Sequence, residues 1–205
     1  MSDDPYQRER IPLLLVLSGT AGSGKDSVIR RMKERGVPFH FVVTATSRPP
    51  RPAEVDGKDY IFLSETEFQA MIAKDELLEH ALVYGQHKGV PKQQIRAAMA
   101  SGRDVVMRVD VQGAATIRRQ CADAVLVFLT AGSEAELASR LAARSTDTPE
   151  QISLRVATAR EEMGRVREFD YVVVNPNGRL DEAVDAILAI LRAEHSRTSP
   201  RRAVL

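Results

Sequence analysis

The sequence predicts an α/β fold with a central, mainly parallel sheet, helices on both faces and two inserted subdomains. Three observations predict it. Short continuous apolar runs alternate with stretches of helical period, a glycine-rich turn follows the first apolar run at once, and two segments interrupt the alternation.

The first run, Leu13–Leu17, reads as a parallel strand buried on both faces. Ser27–Arg35 follows as a helix. Phe39–Thr44, Val105–Val109, Val125–Leu129 and Tyr171–Val174 are the next predicted core strands. Helices are expected over Gly113–Cys121, Glu134–Ala143, Pro149–Val166 and Asp181–Glu194; the last carries Val184, Ile187, Leu188 and Leu191 on one stripe. The core is therefore expected at about residues 12–43, 96–134 and 161–195. The first insertion, about 44–95, holds a proline-rich turn, a strand at Asp59–Ser64, a helix from Ser64 and a strand at Leu77–Tyr84. Ser64 and Glu67 have the spacing of a capping box. The second insertion, about 135–160, is helical and rich in arginine, and residues 1–10 and 196–205 are expected to be flexible ends.

A chain of 205 residues suits one compact domain with room for such insertions. The formal charge of +1 offers no global field to a nucleic acid or an anionic membrane, so neither is an expected partner. Cys121 is the only cysteine, which excludes an intramolecular disulfide and a multi-cysteine metal cluster; a packing role is expected for it. The four histidines, His40, His80, His87 and His195, form no cluster. No apolar stretch approaches the roughly 20 residues that span a bilayer. The mixed charge of Met1–Arg10 lacks the apolar core of a secretory signal, and Asp3, Asp4 and Glu9 argue against a transit peptide. A cytoplasmic setting is the expectation, with plastid or mitochondrion open if a targeting extension is missing. Oligomeric state is not legible.

Gly19-Thr20-Ala21-Gly22-Ser23-Gly24-Lys25-Asp26 has Walker A spacing at its glycines and lysine, between a predicted strand and a predicted helix. Glycines let successive amides turn inward toward phosphate oxygens, the helix start adds its positive dipole end, and Lys25 reaches the terminal phosphates. Asp26 stands where a Ser or Thr hydroxyl normally ligates Mg²⁺. Asp26 or the following Ser27 is the candidate ligand, since either supplies oxygen. The plainer alternative is a glycine-rich turn with an incidental lysine.

A second phosphate site is expected at Thr46-Ser47-Arg48-Pro49-Pro50-Arg51-Pro52. The prolines stiffen the segment, and Arg48 and Arg51 present guanidinium forks matched to phosphate. The same residues satisfy a PxxP pattern, so a polyproline ligand is the competing reading.

These motifs, together with Glu54-Val-Asp-Gly57-Lys-Asp-Tyr60, Leu78-Glu79, Val109-Asp110-Val-Gln112-Gly113 and Asp170-Tyr-Val-Val-Val-Asn175, resemble the guanylate kinase family in kind and order. The resemblance runs from about Leu13 to Ala193. In its Gly-Lys-Asp loop ending and its Lys88–Gln94 run the chain looks most like the plant organellar form and its bacterial relatives. The resemblance implies a P-loop kinase with an NMP-binding insertion and a lid, transferring the γ-phosphoryl group of ATP to GMP with Mg²⁺. It implies that Thr44, Arg48, Arg51 and Tyr60 bind the acceptor phosphate and that Glu79 and Asp110 read guanine; Lys88, where the wider family commonly has a phosphate-binding tyrosine, is expected to replace that contact with a point charge. It further implies that Arg140, Arg144 and Arg155 grip ATP and the migrating phosphoryl group, that Lys25 acts with Arg144 and Arg155 in transfer, and that Asn175 lies near adenine. Arg160 is instead expected to pair with glutamates on a solvated face.

Chemistry supports the base-reading assignment separately, because guanine presents N1–H and N2–H₂ side by side to a single carboxylate. The chain departs from the wider family at Lys88 (commonly tyrosine), Val90 (commonly serine or threonine) and Arg108 (commonly acidic). Two alternatives stand beside the kinase reading: a guanylate-kinase-like module that binds phosphopeptides, and a kinase of another small phosphate acceptor.

Overall fold

The computed structural model describes residues 9–50, 54–83, 85–143 and 149–205. Five parallel strands form the central sheet: β1 (Leu14–Gly19), β2 (His40–Phe41), β7 (Val105–Arg108), β8 (Val125–Thr130) and β9 (Tyr171–Val174), in the order β2-β7-β1-β8-β9. Every side chain of β1 is buried, as a central strand covered on both faces requires. One face packs against α1 (Lys25–Glu34) and α7 (Leu180–His195), through Val28, Met32, Val184, Ile187 and Leu191. The other is covered by α3 (Lys92–Ala100) and α4 (Val111–Gln120), through Ile95, Ala98, Ala114 and Ile117, with Cys121 buried at its edge.

The predicted strand Phe39–Thr44 divides. Its first part, β2, belongs to the central sheet, and the chain then crosses to β3 (Ala45–Thr46) in a second sheet. Val43 sits at the crossing, where no strand can serve its backbone. The Gln94 amide serves it instead: its Oε1 accepts from Val43 N at 3.0 Å and its Nε2 donates to Val43 O at 2.9 Å.

The second sheet has the order β4-β3-β6-β5 and combines β3 and β4 (Ile61–Phe62) with an antiparallel pair, β5 (Leu77–Val83) and β6 (Gln86–Pro91). Helix α2 (Glu65–Ala73) packs on it through Phe68, and Ser64 and Glu67 close the expected capping box. Strand β6 and helix α3 were not foreseen. Gln86-His87-Lys88 reads as polar loop, and burial begins only at Gly89.

In the second insertion α5 (Glu134–Ala142) and α6 (Pro149–Gly164) lie against each other, and a short 3₁₀ helix at Val166–Glu168 follows α6. The predicted helix Pro149–Val166 therefore ends earlier. The tail 196–205, expected to be loose, is docked at Arg201, Ala203 and Leu205. Arg201 donates to the buried Glu194 at 3.0 Å, Arg96 donates to the Leu205 carbonyl at 3.0 Å, and Ala203 and Leu205 pack on the core. Among the described residues, no helix is long and apolar enough to cross a membrane.

Candidate active site

The loop between β1 and α1 takes its shape from glycines whose backbone no other residue would tolerate. Gly19, Gly22 and Gly24 all have positive φ. A Cβ at Gly19 would lie 1.9 Å from the Leu129 carbonyl oxygen, and one at Gly24 would lie 2.5 Å from Asn175 Nδ2. Helix α1 begins at Lys25, so its unpaired amides open toward the loop. The Lys25 ammonium spans the turn, donating to Gly19 O at 2.7 Å and Thr20 O at 2.9 Å.

Two groups on distant elements brace this loop. Asn175 follows β9, is buried, and donates from Nδ2 to Ser23 O at 2.8 Å. Arg140 of α5 donates to the Asn175 carbonyl and the Glu136 carboxylate, both at 2.7 Å, and to Asn177 Oδ1 at 2.8 Å. Arg140, Asn175, Ser27 and Leu180 line a pocket of about 300 Å³ on this side of the loop. Beneath the loop, Ala21 N–H donates to the Glu162 carboxylate of α6 at 3.1 Å, and burial raises the pKa of Glu162.

The main cleft, about 380 Å³, opens between this loop and the second sheet. Lys25, Asp26 and Ser27 form one wall, and Thr44, Tyr60, Glu79, Lys88 and Val90 form the other. Arg108 and Asp110, at the end of β7 and the start of α4, make its floor. Asp110 caps α4, accepting from Gly113 N at 2.7 Å. Glu79 reaches over the same helix start. A Cβ at Gly113 would lie 3.2 Å from the Glu79 Cδ, so glycine there admits the carboxylate. Burial, and then the negative charge of Asp110, push Glu79 up to about 7.

Arg48 is brought near the cleft but not into its lining. Its guanidinium is buried and forked onto Glu54, with one contact at 2.6 Å, and lies 4.9 Å over the Tyr60 ring. Arg155 lies half-buried on α6, outside the cleft lining. Arg51 and Arg144 fall outside the described residues. Arg160 pairs with Glu134 at 2.6 Å, as expected of a solvated face. Asp26 forms an ion pair with Arg108 and also lines an adjoining recess of about 410 Å³. Among the described residues, no group of three or more His, Cys, Asp or Glu side chains could hold a metal ion.

Sequence reading missed Glu162 and the role of Glu54, which left a local trace six residues beyond Arg48 in a motif already noted. Glu136, expected to pair with arginine on a helical face, does so with Arg140 at i,i+4 spacing.

A glycine loop and a lysine-led helix following the central strand of a parallel sheet define a P-loop nucleotide-binding protein. Comparison with known proteins narrows the class. The guanylate kinase family model matches residues 12–194. The chain is 52% identical over 201 residues to the chloroplastic/mitochondrial guanylate kinase 2 of Oryza sativa subsp. japonica, covering 98% of this chain and 70% of that one. It is 46% identical over 181 residues to the guanylate kinase of Gloeobacter violaceus, covering 88% and 87% of the two chains. The crystal structure of guanylate kinase from Anaplasma phagocytophilum superposes with a TM-score of 0.75 at 29% identity, covering 96% of this chain and 92% of that one. The chain belongs to the guanylate kinase family, and it is a nucleoside-monophosphate kinase.

Proposed function

We propose that the protein transfers the γ-phosphoryl group of ATP to GMP, giving ADP and GDP. The observation that carries this reading is the carboxylate pair Glu79 and Asp110 facing the phosphate loop across one cleft. Ionised Glu79 accepts both N1–H and N2–H₂ of guanine, whereas adenine leaves a half-buried carboxylate facing an acceptor nitrogen. Thr44, Tyr60 and Lys88 line the wall where the acceptor phosphate sits. Arg48 completes that wall by exchanging Glu54 for phosphate, with Arg51 beside it in sequence. The loop amides and Lys25 hold the donor phosphates, and the pocket between Arg140 and Asn175 takes the adenine end of ATP. Arg155, with Arg144, supplies charge to the migrating group from the lid.

The donor set fits Mg²⁺ that arrives with the nucleotide, because Asp26 and Ser27 offer hard oxygen beside the loop. The ion would neutralise phosphate charge; Ser27 would hold it while Asp26 stays paired with Arg108, and Asp26 would hold it only on leaving that pair. Purine nucleotide metabolism follows from the reaction. The cytoplasm is the proposed compartment, and the likeness to a chloroplastic/mitochondrial kinase of rice supplies the organellar alternative.

A coupled assay offering ATP with GMP, AMP, CMP, UMP or ribose 1,5-bisphosphate tests the reading. GMP is expected to be preferred by about 10⁴ over AMP in kcat/KM. Equal turnover of AMP would overturn the assignment of Glu79 and Asp110 to the base.

A further inference from the structure

Asp26 stands in the first turn of α1, directly after the loop lysine. Arg108 ends β7, its backbone in register with Leu17 of β1. The two side chains form an ion pair, and both line the main cleft as well as the recess beside it. Asp26 therefore stands on the loop side of the cleft and Arg108 on its floor, between the phosphate loop and the wall that carries Thr44 and Tyr60. Among the described residues, Asp26 is the one acidic side chain within ion-pair distance of Arg108.

A lone carboxylate at this point would repel a polyphosphate. Its partner removes that charge and does more, because a guanidinium carries five N–H donors and Asp26 does not occupy them all. Arg108 is partly withdrawn from solvent, where its attraction for an anion is less screened. Asp26 is the more exposed member, 68% against 35% for Arg108, which suits a residue that steers its partner rather than one sealed beneath it.

We propose that Arg108 is a phosphate-binding residue of the transfer step, aimed over the cleft by Asp26. This rests on the ATP-to-GMP reaction proposed above. As the bond from the γ-phosphorus to the ADP oxygen breaks and the bond to the GMP phosphate oxygen forms, the Arg108 N–H groups hold the equatorial oxygens of the moving group. No proton passes through Arg108. Asp26 is a positioning residue and acts through it.

The variants R108M, R108K, D26N and D26N/R108M test this, with kcat, both KM values, calorimetric GMP affinity, Mg²⁺ dependence and thermal melts as readouts. R108M should lower kcat by about 30–100-fold while leaving the GMP Kd within about 2-fold. R108K should recover part of the loss, since a point charge replaces the fork. D26N should lower kcat by about 5–10-fold alone and by less than about 2-fold in the R108M background. A normally folded R108M with kcat within about 3-fold of wild type would overturn the proposal. If R108M does not fold, R108K with undiminished kcat would do the same. Multiplying effects in the double variant, or a changed Mg²⁺ requirement on adding D26N to R108M, would overturn the positioning role. Failure of the wild-type chain to phosphorylate GMP would refute the underlying reaction, a result distinct from all of these.

Discussion

Replacing Glu79 by glutamine separates the cost of holding a carboxylate in the cleft from the use made of it. In the unliganded protein Glu79 is raised from 4.5 to about 7, first by burial and then by Asp110. That gap corresponds to ~3 kcal/mol against the ionised form. The sign follows from the raised value. The stability linked to the neutral carboxyl is fully present below about pH 4.5 and is lost as pH rises through about 7. Glutamine does not titrate, so E79Q should be more stable than wild type at pH 8 by up to ~3 kcal/mol. At pH 4 the two should melt alike. Binding runs the opposite way. Guanine needs the ionised acceptor, so from pH 8 to pH 6 the wild-type GMP Kd should rise about 10-fold more than that of E79Q. Subtracting the variant removes the titration of the GMP phosphate itself. Urea melts at pH 4, 6 and 8, with calorimetry at pH 6 and 8, supply both quantities. Parallel pH profiles for the two proteins would refute the reasoning, because they would show that Glu79 is neither desolvated nor engaged with the base.

Other outcomes follow from the loop and the crossing. Lys25→Met should reduce transfer by at least about 10³-fold and leave GMP affinity by calorimetry nearly unchanged; full activity would remove the loop from the donor site. Gly19→Ala places a methyl group against the Leu129 carbonyl at positive φ and should cost about 3 kcal/mol or more in a urea melt. Gln94→Leu strands both polar groups of Val43 and should cost about 2 kcal/mol, whereas a neutral result would mean that water replaces the amide.

The phosphate loop was legible because its chemistry depends on backbone shape. Only glycine passes Leu129 at position 19 or sits with positive φ at position 24, so spacing and function share one signal. Central strands were legible for a related reason: burial on both faces leaves continuous apolar runs such as Leu13–Leu17. Strand β6 lacks that signature, since its polar half pairs with β5 at the rim of the cleft. The division of the Phe39–Thr44 strand was invisible because the group that completes it, Gln94, lies 51 residues away. Distance in sequence hid the pairing of Ala21 with Glu162, 141 residues apart, in the same way. The docking of the tail was hidden by composition. Arg201 and Arg202 look like solvated charge, yet Arg201 satisfies the buried Glu194, which also accepts from the Tyr171 hydroxyl at 2.7 Å. At the site, Glu79 and Asp110 were recognised as a pair of acids, but the raised pKa of Glu79 depends on packing against Gly113 and on burial in the cleft. Arg48 was expected to act as a phosphate fork, and its hold on Glu54 appears only in three dimensions.

That one cleft joins a phosphate loop to a guanine-reading carboxylate pair is tested most directly by competition. ATP labelled at the γ-phosphorus is given to the protein with an equimolar mixture of GMP and AMP, and the diphosphates are separated after a single short incubation. Label should pass to GDP with about 10⁴-fold excess over labelled ADP, the ratio of the two kcat/KM values. Equal labelling of the two diphosphates would contradict the account.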